Sequence, residues 1–517
     1  MRETNAIRDN TPRKWAVFIV MVALLSALLW AGWSLVGHRP VVPGTTASSS
    51  GTITVGLRDA PASLDLRQEQ GDAVGRALLG NVYETLIARD QNNALQPGLA
   101  ERWSTSEDGL TLTLHLRGNM RFSNGDALDA SDAVWSLQQI ITGRLPGYEG
   151  LGNVSGVGNP DAGTVVITLS APSPALPRAL AGRAGVVYNQ DADIDYATEA
   201  LGSGPFVVAD SAKGDNGALT SIDLERNTDY WGDKAASARV TLRYYADDAA
   251  LAQAFKDGTA DAIMPSDATT ADGFKDSADA TVAAGQTTDV KVLAFNNGND
   301  SIFSDEQVRG AVRHLIDRNA IAGSRPDAGQ PLGGPIAPLE PGYEDLTGLF
   351  PYDMAKARSM LSYFSAGYLG TMRLVVEAAD QPLAQTIADQ LSAGGLAVEV
   401  QTVASHDEYA ARIEAKDYDM TLATARGEAG IAAFASSQSP YWFENADAQR
   451  TYAAAMAATN DQDYQSRLKE YARVVSQHSA SDWLYAIETR VVTAKGISGM
   501  PANMTDVTLP LSQLRKA

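Results

Sequence analysis

Few residues in this sequence are of kinds that make or break covalent bonds. There is no cysteine, which excludes thiolate nucleophiles, disulfides and thiolate metal sites. The five histidines, at positions 38, 115, 314, 406 and 478, are scattered, with neither H-E-x-x-H nor any other paired metal-ligand spacing. No G-x-S-x-G elbow and no phosphate-cradling loop occurs, and Gly156-Val157-Gly158 runs into Asn159-Pro160 rather than into a helix. Acidic pairs such as Asp247-Asp248 fit helix starts, where a carboxylate meets the positive end of the helix dipole, better than acid–base work. What remains is the chemistry of recognition by carboxylates, guanidinium groups and aromatic rings. The sequence therefore reads as a non-enzyme, with no cofactor and no metal.

Charge narrows the partners. Of 41 basic and 62 acidic residues, five basic and two acidic ones lie in residues 1–39, leaving 36 against 60 and a net of −24 on the rest. A body that acidic repels phosphate backbones, so nucleic acid is excluded as a partner and the charge serves solubility. The apolar exception is Trp15–Val36, 22 residues without a charge. At 1.5 Å per residue it is about 33 Å long, enough for a hydrocarbon core of roughly 30 Å. Four basic residues precede it, which keeps the N-terminus cytoplasmic and places everything after Val36 outside the membrane. The rival reading is a cleaved signal peptide, but the run is longer than such cores and no small-x-small site closes it. The expectation is a cytoplasmic tail (1–14), a transmembrane signal anchor (15–36) and a Pro/Gly/Ser/Thr-rich flexible linker (37–51).

At 517 residues the chain has room for two to four domains of roughly 100–200 residues each. Strand-like and helix-like stretches alternate from Thr52 onward, which indicates an α/β body. Residues 52–56 and 110–116 alternate as strands, whereas 71–88 carries a helical stripe of Val74, Leu78, Val82 and Leu86. Helix starts are predicted at Asp129 with Asp132, at Ser304 with Gln307, and at Asp353, the last ending at Gly367. Residues 239–264 align without gaps on 397–422, and each reads strand, helix, strand. A further unit precedes the second copy, with a strand at 372–376 and a helix at 382–393. Two such right-handed units in distant halves predict two lobes of similar topology with a cleft between them.

Several blocks, in order, carry a family resemblance. They are ASLDL (62–66), NVYETL to AVWSL (81–137), GSGPFVV (202–208), ERNTDYWG (225–232) and SDEQVRGAVRHLIDRNAI (304–321). They resemble the extracellular solute-binding proteins of family 5, the peptide- and nickel-binding receptors of ABC importers, over nearly all of 52–510. The resemblance implies a type II periplasmic-binding-protein-like fold of two hinged α/β lobes. Lobe I would comprise 52–81, 202–290 and 485–517, with an extra domain (82–201) inserted, and lobe II would be 291–484. It implies a membrane-tethered, extracytoplasmic, monomeric body that captures an oligopeptide or similar polar solute and passes it to an ABC permease. The alternative is a non-transport scaffold or regulator of cell-envelope biosynthesis built on the same fold.

The resemblance also implies where a ligand would lie. Cleft-lining segments would be the loop after the first strand, with Leu64 and Asp65, and the strand opening lobe II, with Asn296 and Asn297. The third is the loop at 423–434, where peptide-binding members commonly carry W-x-x-D to neutralise the peptide's ammonium. Here it reads ATARGEAGIAAF, without that Trp or Asp. Arg426, Gly427 and Glu428 take its place, with Glu428 set to pair with an ammonium and Arg426 with a carboxylate. Tyr441 and Trp442 are the expected cleft aromatics, with core packing as the competing role.

Overall fold

The computed structural model describes residues 51–436 and 439–517. The expected tail, membrane segment and all of the linker but Gly51 lie outside these residues. Among the described residues no helix is long and apolar enough to cross a membrane.

Alternating apolar residues build one sheet of eleven strands. In chain order these are β1 (Thr52–Leu57), β2 (Phe206–Lys213), β3 (Leu219–Arg226), β4 (Arg239–Tyr244), β5 (Ala262–Ile263), β6 (Ala280–Phe295), β7 (Ala328–Pro331), β8 (Thr371–Glu377), β9 (Ala397–Val403), β10 (Met420–Arg426) and β11 (Ser481–Ala494). Their order across the sheet is β9-β8-β10-β6-β11-β5-β1-β4-β3-β2, with β7 also on β11. The two aligned stretches both form the predicted strand–helix–strand units, with helices at Asp248–Lys256 and His406–Glu414. In each, the two strands flank a third parallel strand: β4 and β5 lie on either side of β1, and β9 and β10 on either side of β8.

Strands β6 and β11 join the halves. They run antiparallel, paired from Ala280↔Ala494 to Ala294↔Ser481, with a break between Gln286 and Val290. Before the break β6 belongs with β5 and β1, and after it β6 pairs with β10 from Asp289 onward. Separate cores flank the crossing. The first, around Ile53, Leu64, Ile222 and Leu242, also takes in Val186, Tyr188 and Tyr196. A second surrounds the four-stranded sheet of residues 100–169, with Leu112, Leu114 and Leu137. Two more, built on Phe295, Leu374 and Leu391 and on Trp483, Tyr471 and Phe434, lie beyond the crossing.

The sequence motifs mostly serve this scaffold. Asn81 is fully buried, donates to the carbonyls of Ala77 and Leu509, and accepts from the Leu511 amide. Glu84 accepts from Ser203, Tyr230 Oη and Trp231 Nε1, so the Tyr-Trp pair and the Asn-x-Tyr-Glu segment are two sides of one polar knot. Burial pushes the Glu84 carboxyl up to about 7 against these three donors. Arg313 and Arg318, from the helix Glu306–Leu315 and the start of the next, Arg318–Ser324, both engage Asp482 on β11 in the interior.

Three element boundaries differ from expectation. The helix at 71–88 spans only Asp72–Leu78, because Leu79 turns extended and Asn81 is tied to the C-terminal segment. Asp305, not Ser304, caps the next helix by accepting from the Gln307 amide. The helix after Asp353 stops at Leu361, and Gly367 lies in a separate turn of helix, Ala366–Leu369.

Candidate functional site

The break between β6 and β11 is where the seam opens. Thr287, Thr288 and Asp289 leave the ladder there and line a cavity of about 430 Å³, within the roughly 300–1,000 Å³ typical of small-molecule sites. Beside them β10, paired with β6 from Asp289↔Arg426, ends at Arg426 and the chain bends into the helix Gly427–Ala432. Gly427 makes that bend at φ +46°, in the left-handed region that favours glycine, and so aims Glu428 back into the cavity.

Each core contributes charge. Asp72, Arg76 and Asp506 come from the first, Arg89 and Arg178 from the inserted part, and Glu340, Arg426 and Glu428 from beyond the crossing. Arg426 bridges the seam, with its Nη1 2.9 Å from Asp72 and its Nε 3.6 Å from Asp289. Arg89 donates to the Arg178 carbonyl at 2.6 Å, and Arg178 donates to the Asn93 carbonyl at 3.1 Å. Burial lowers the Arg178 guanidinium and raises the Glu340 carboxyl. The Glu428 side chain meets solvent at the cavity, yet protein surrounds it at longer range. Desolvation first, then the Glu340 charge, holds its carboxyl above the usual range, with Arg89 and Arg178 opposing. Ile431, Tyr452, Met456, Tyr464 and Leu468 make an apolar side. Two desolvated carboxylates facing two arginines beside an apolar wall suit a solute that carries an ammonium, a carboxylate and a short apolar body.

Of the residues singled out from the sequence, Arg426, Gly427 and Glu428 line this cavity and the other six do not. Leu64 is fully buried in the first core. Asp65 turns back on Arg67, which it meets at 3.1 Å. Asn296 donates to the Tyr418 carbonyl, and Asn297 to the carbonyls of Phe295, Tyr441 and Ala480, so both fasten loops. The reason is strand length. β6 enters the second half at Asp289, and Asn296 lies seven residues further along, about 23 Å at 3.3 Å per residue. Tyr441 stacks on Phe434 at 5.4 Å, and Trp442 lies under Lys416, whose Nζ is 3.7 Å from the ring centre. Tyr441 packs at the edge of the core around Trp483, whereas Trp442 belongs to none of the hydrophobic cores.

Asp72, Arg76, Arg89, Arg178, Asp289, Glu340 and Asp506 were not anticipated. They span residues 72–506 and share no local pattern. One usable signal was Arg178, a lone charge in the apolar run Ala175–Leu180, ALPRAL.

The family model described as bacterial extracellular solute-binding proteins, family 5 Middle, matches residues 94–447. Among characterised relatives, Protein XP55 of Streptomyces lividans is 29% identical over 337 residues, covering 62% of this chain and 57% of that protein. The nickel-binding periplasmic protein of Escherichia coli K12 is 28% identical over 298 residues, 54% of this chain and 55% of that one. Di/tripeptide-binding protein 4 of Pseudomonas aeruginosa is 23% identical over 440 residues, 77% and 81%. The match thus spans little more than half the length of the first two. The crystal structure of the ABC transporter substrate-binding protein CtaP from Listeria monocytogenes superposes with a TM-score of 0.80 at 17% identity, covering 90% of this chain and 99% of that one. The fold is that of the type II periplasmic binding proteins.

Proposed function

The chain belongs to the bacterial extracellular solute-binding proteins of family 5, and on that premise we propose that it captures a short peptide or similar zwitterionic solute for an ABC permease. The family is one of binding proteins rather than enzymes. The observation that carries the reading is the seam cavity, to which all parts of the fold send charge of both signs. Glu428, with Glu340 beside it, receives the ligand's ammonium. Arg178 receives its carboxylate, because Arg426 is already engaged by Asp72 and Asp289 and acts as a clasp between the halves, and Arg89 is engaged by Asp506, the Asn93 side chain and the Arg178 carbonyl. The similarity to a di/tripeptide-binding protein supports a peptide.

In this reading the parts move as lobes. Lobe I is 52–81, 202–290 and 485–517, lobe II is 291–484, and 82–201 is an inserted domain. Binding selects the closed arrangement to the extent that the ligand holds it more tightly than the open one, and a differential of a few kcal/mol, within the about −8 kcal/mol of a micromolar ligand, shifts a balance of that size. Trp15–Val36 spans the membrane and 37–51 tethers the body on its extracytoplasmic side. Recovery of residues 1–40 in the intact mass of the mature protein would support the tether, and their loss would replace it with a cleaved signal.

Calorimetry on the purified full chain with Ala-Ala tests the capture. Micromolar binding is expected, weakened at least tenfold by Glu428→Gln. Absence of heat with Ala-Ala, alongside a folded protein, would overturn the peptide reading.

A further inference from the structure

Four arginines and five carboxylates line the seam cavity, and most of them answer one another. Arg426 is shared by Asp72 and Asp289, and Arg89 meets Asp506 at 3.9 Å. Arg76 turns to Asp59, outside the lining, at 3.6 Å. Arg178, Glu340 and Glu428 are left, and among the described residues none of these three has an ion pair within 4 Å. The cations that favour an ionised Glu428 are Arg89 and Arg178, and the same two act on Glu340. Arg89 is already paired, so one guanidinium serves two carboxylates, and desolvation works against the charge of both. Tyr452 and Tyr464 stand close enough to Glu428 for its charge to act on both phenols. Carboxylates flanked by aromatic rings are surroundings in which an organic cation sheds water at little cost.

We infer that the second carboxylate serves a second cation, and that the solute is a short peptide whose first residue is lysine or arginine. The inference rests on the assignment of the ligand's ammonium to Glu428 and of its carboxylate to Arg178. A plain zwitterion uses one charge of each sign and leaves Glu340 with no counter-charge from the ligand, which is costly where water is scarce. The first side chain springs from the same Cα as the α-ammonium, so an ammonium or guanidinium at its tip reaches the same end of the cavity. It supplies the missing positive charge there, and Arg178 remains free for the carboxylate. The ligand class is thus narrowed from zwitterionic to cationic short peptides.

Calorimetry on the full chain at neutral pH with Lys-Ala, Ala-Lys, norleucyl-alanine and Ala-Ala tests this. Norleucine keeps the carbons of the lysine side chain without its charge. Lys-Ala is expected to bind roughly tenfold or more tighter than Ala-Lys or norleucyl-alanine, because only it sets a side-chain cation beside Glu340. Glu340→Gln should bring Lys-Ala and norleucyl-alanine to within a few-fold of each other. That ratio is read on one variant, so a loss common to all ligands does not disturb it, and the comparison on the unaltered chain stands even if the variant fails to fold. Equal affinity of Lys-Ala with either control on the unaltered chain, or a gap that survives Glu340→Gln, would overturn the second-cation site and, with Ala-Ala bound, leave the peptide reading standing. No binding of any of the four would overturn both.

Discussion

Arg426 and Glu428 are two residues apart and both face the seam, but their surroundings assign them different work. The Arg426–Asp72 pair is 2.9 Å long with side chains 65% and 42% exposed, and pairs that wet contribute about 0–1 kcal/mol. Arg426→Ala should therefore leave the melting temperature within a degree or two and weaken Ala-Ala only a few-fold. Glu428→Gln removes the counter-charge to a desolvated ammonium and should cost tenfold or more, and calorimetry on the two variants side by side checks the ranking. Because Glu428 and Glu340 both hold their protons above the usual carboxylate range, acidification should weaken capture earlier than ordinary carboxylates would. Glu84 carries a separate pH signature. Its folded carboxyl sits at about 7, above its unfolded value, so the folded state binds more protons and this group's contribution is fully present below the unfolded value. That contribution is lost as pH rises toward 7, with at most about 3 kcal/mol at stake. Denaturant titrations from pH 4.5 to 7.5 should show a downward slope that Glu84→Gln flattens. At this scale the sequence led to 426–428 through the resemblance, which marks the loop after β10 as facing the cleft; the glycine bend that turns Glu428 toward the cavity became visible in the structure. The other charges of the cavity converge from residues 72–506 through tertiary folding, which spacing does not encode.

Elements show the same division between local and distant information. The two strand–helix–strand units were legible from a gapless alignment, down to strands at 239–244 and 397–403 and helices behind them. The strand each pair embraces was not equally visible. β8 lies just upstream of its unit, whereas β1 is separated from β4 by the whole inserted part. β6 runs for 16 residues through the seam, so Asn296 and Asn297, named from the strand opening lobe II, follow its far end and lie away from the cavity. The crossing depends on close backbone approach. A Cβ at Gly285, one residue before the register break, would lie 1.7 Å from the Ala502 carbonyl oxygen, itself held by Thr489 Oγ1 at 2.8 Å. Gly285→Ala must push the C-terminal segment away from the hinge strands, and a loss of about 1–3 kcal/mol in chemical denaturation is the expected outcome. Gly323→Ala, in the helix Arg318–Ser324 with nothing within 4 Å of a Cβ there and no positive φ, is the control and should cost no stability.

For the whole molecule, the decisive feature is that among the described residues only β6 and β11 carry main chain between the two halves of the large sheet, paired with each other along almost their full length. Two strands paired in this way resist shear but twist readily, and the break between Gln286 and Val290 localises the twist at the cavity. Closure around a ligand should therefore be a rotation about that break, moving the outer strands β2 and β9 relative to each other while each core stays intact. The cysteine-free sequence makes this directly measurable, since any introduced pair of cysteines is the only pair present. Lys213→Cys on β2 and Glu399→Cys on β9 sit at exposed positions on opposite edges of the sheet. Spin labels there should give a broad distance distribution without ligand, which narrows and shifts when Ala-Ala is added. In an Arg426→Ala background the same shift should need more ligand, because the clasp between Arg426 and Asp72 favours the closed form and its loss taxes every binding event by the same free energy. A distribution unmoved by saturating ligand would mean that the seam is a rigid pocket, and the affinity differences among dipeptides would then have to arise from local contacts alone.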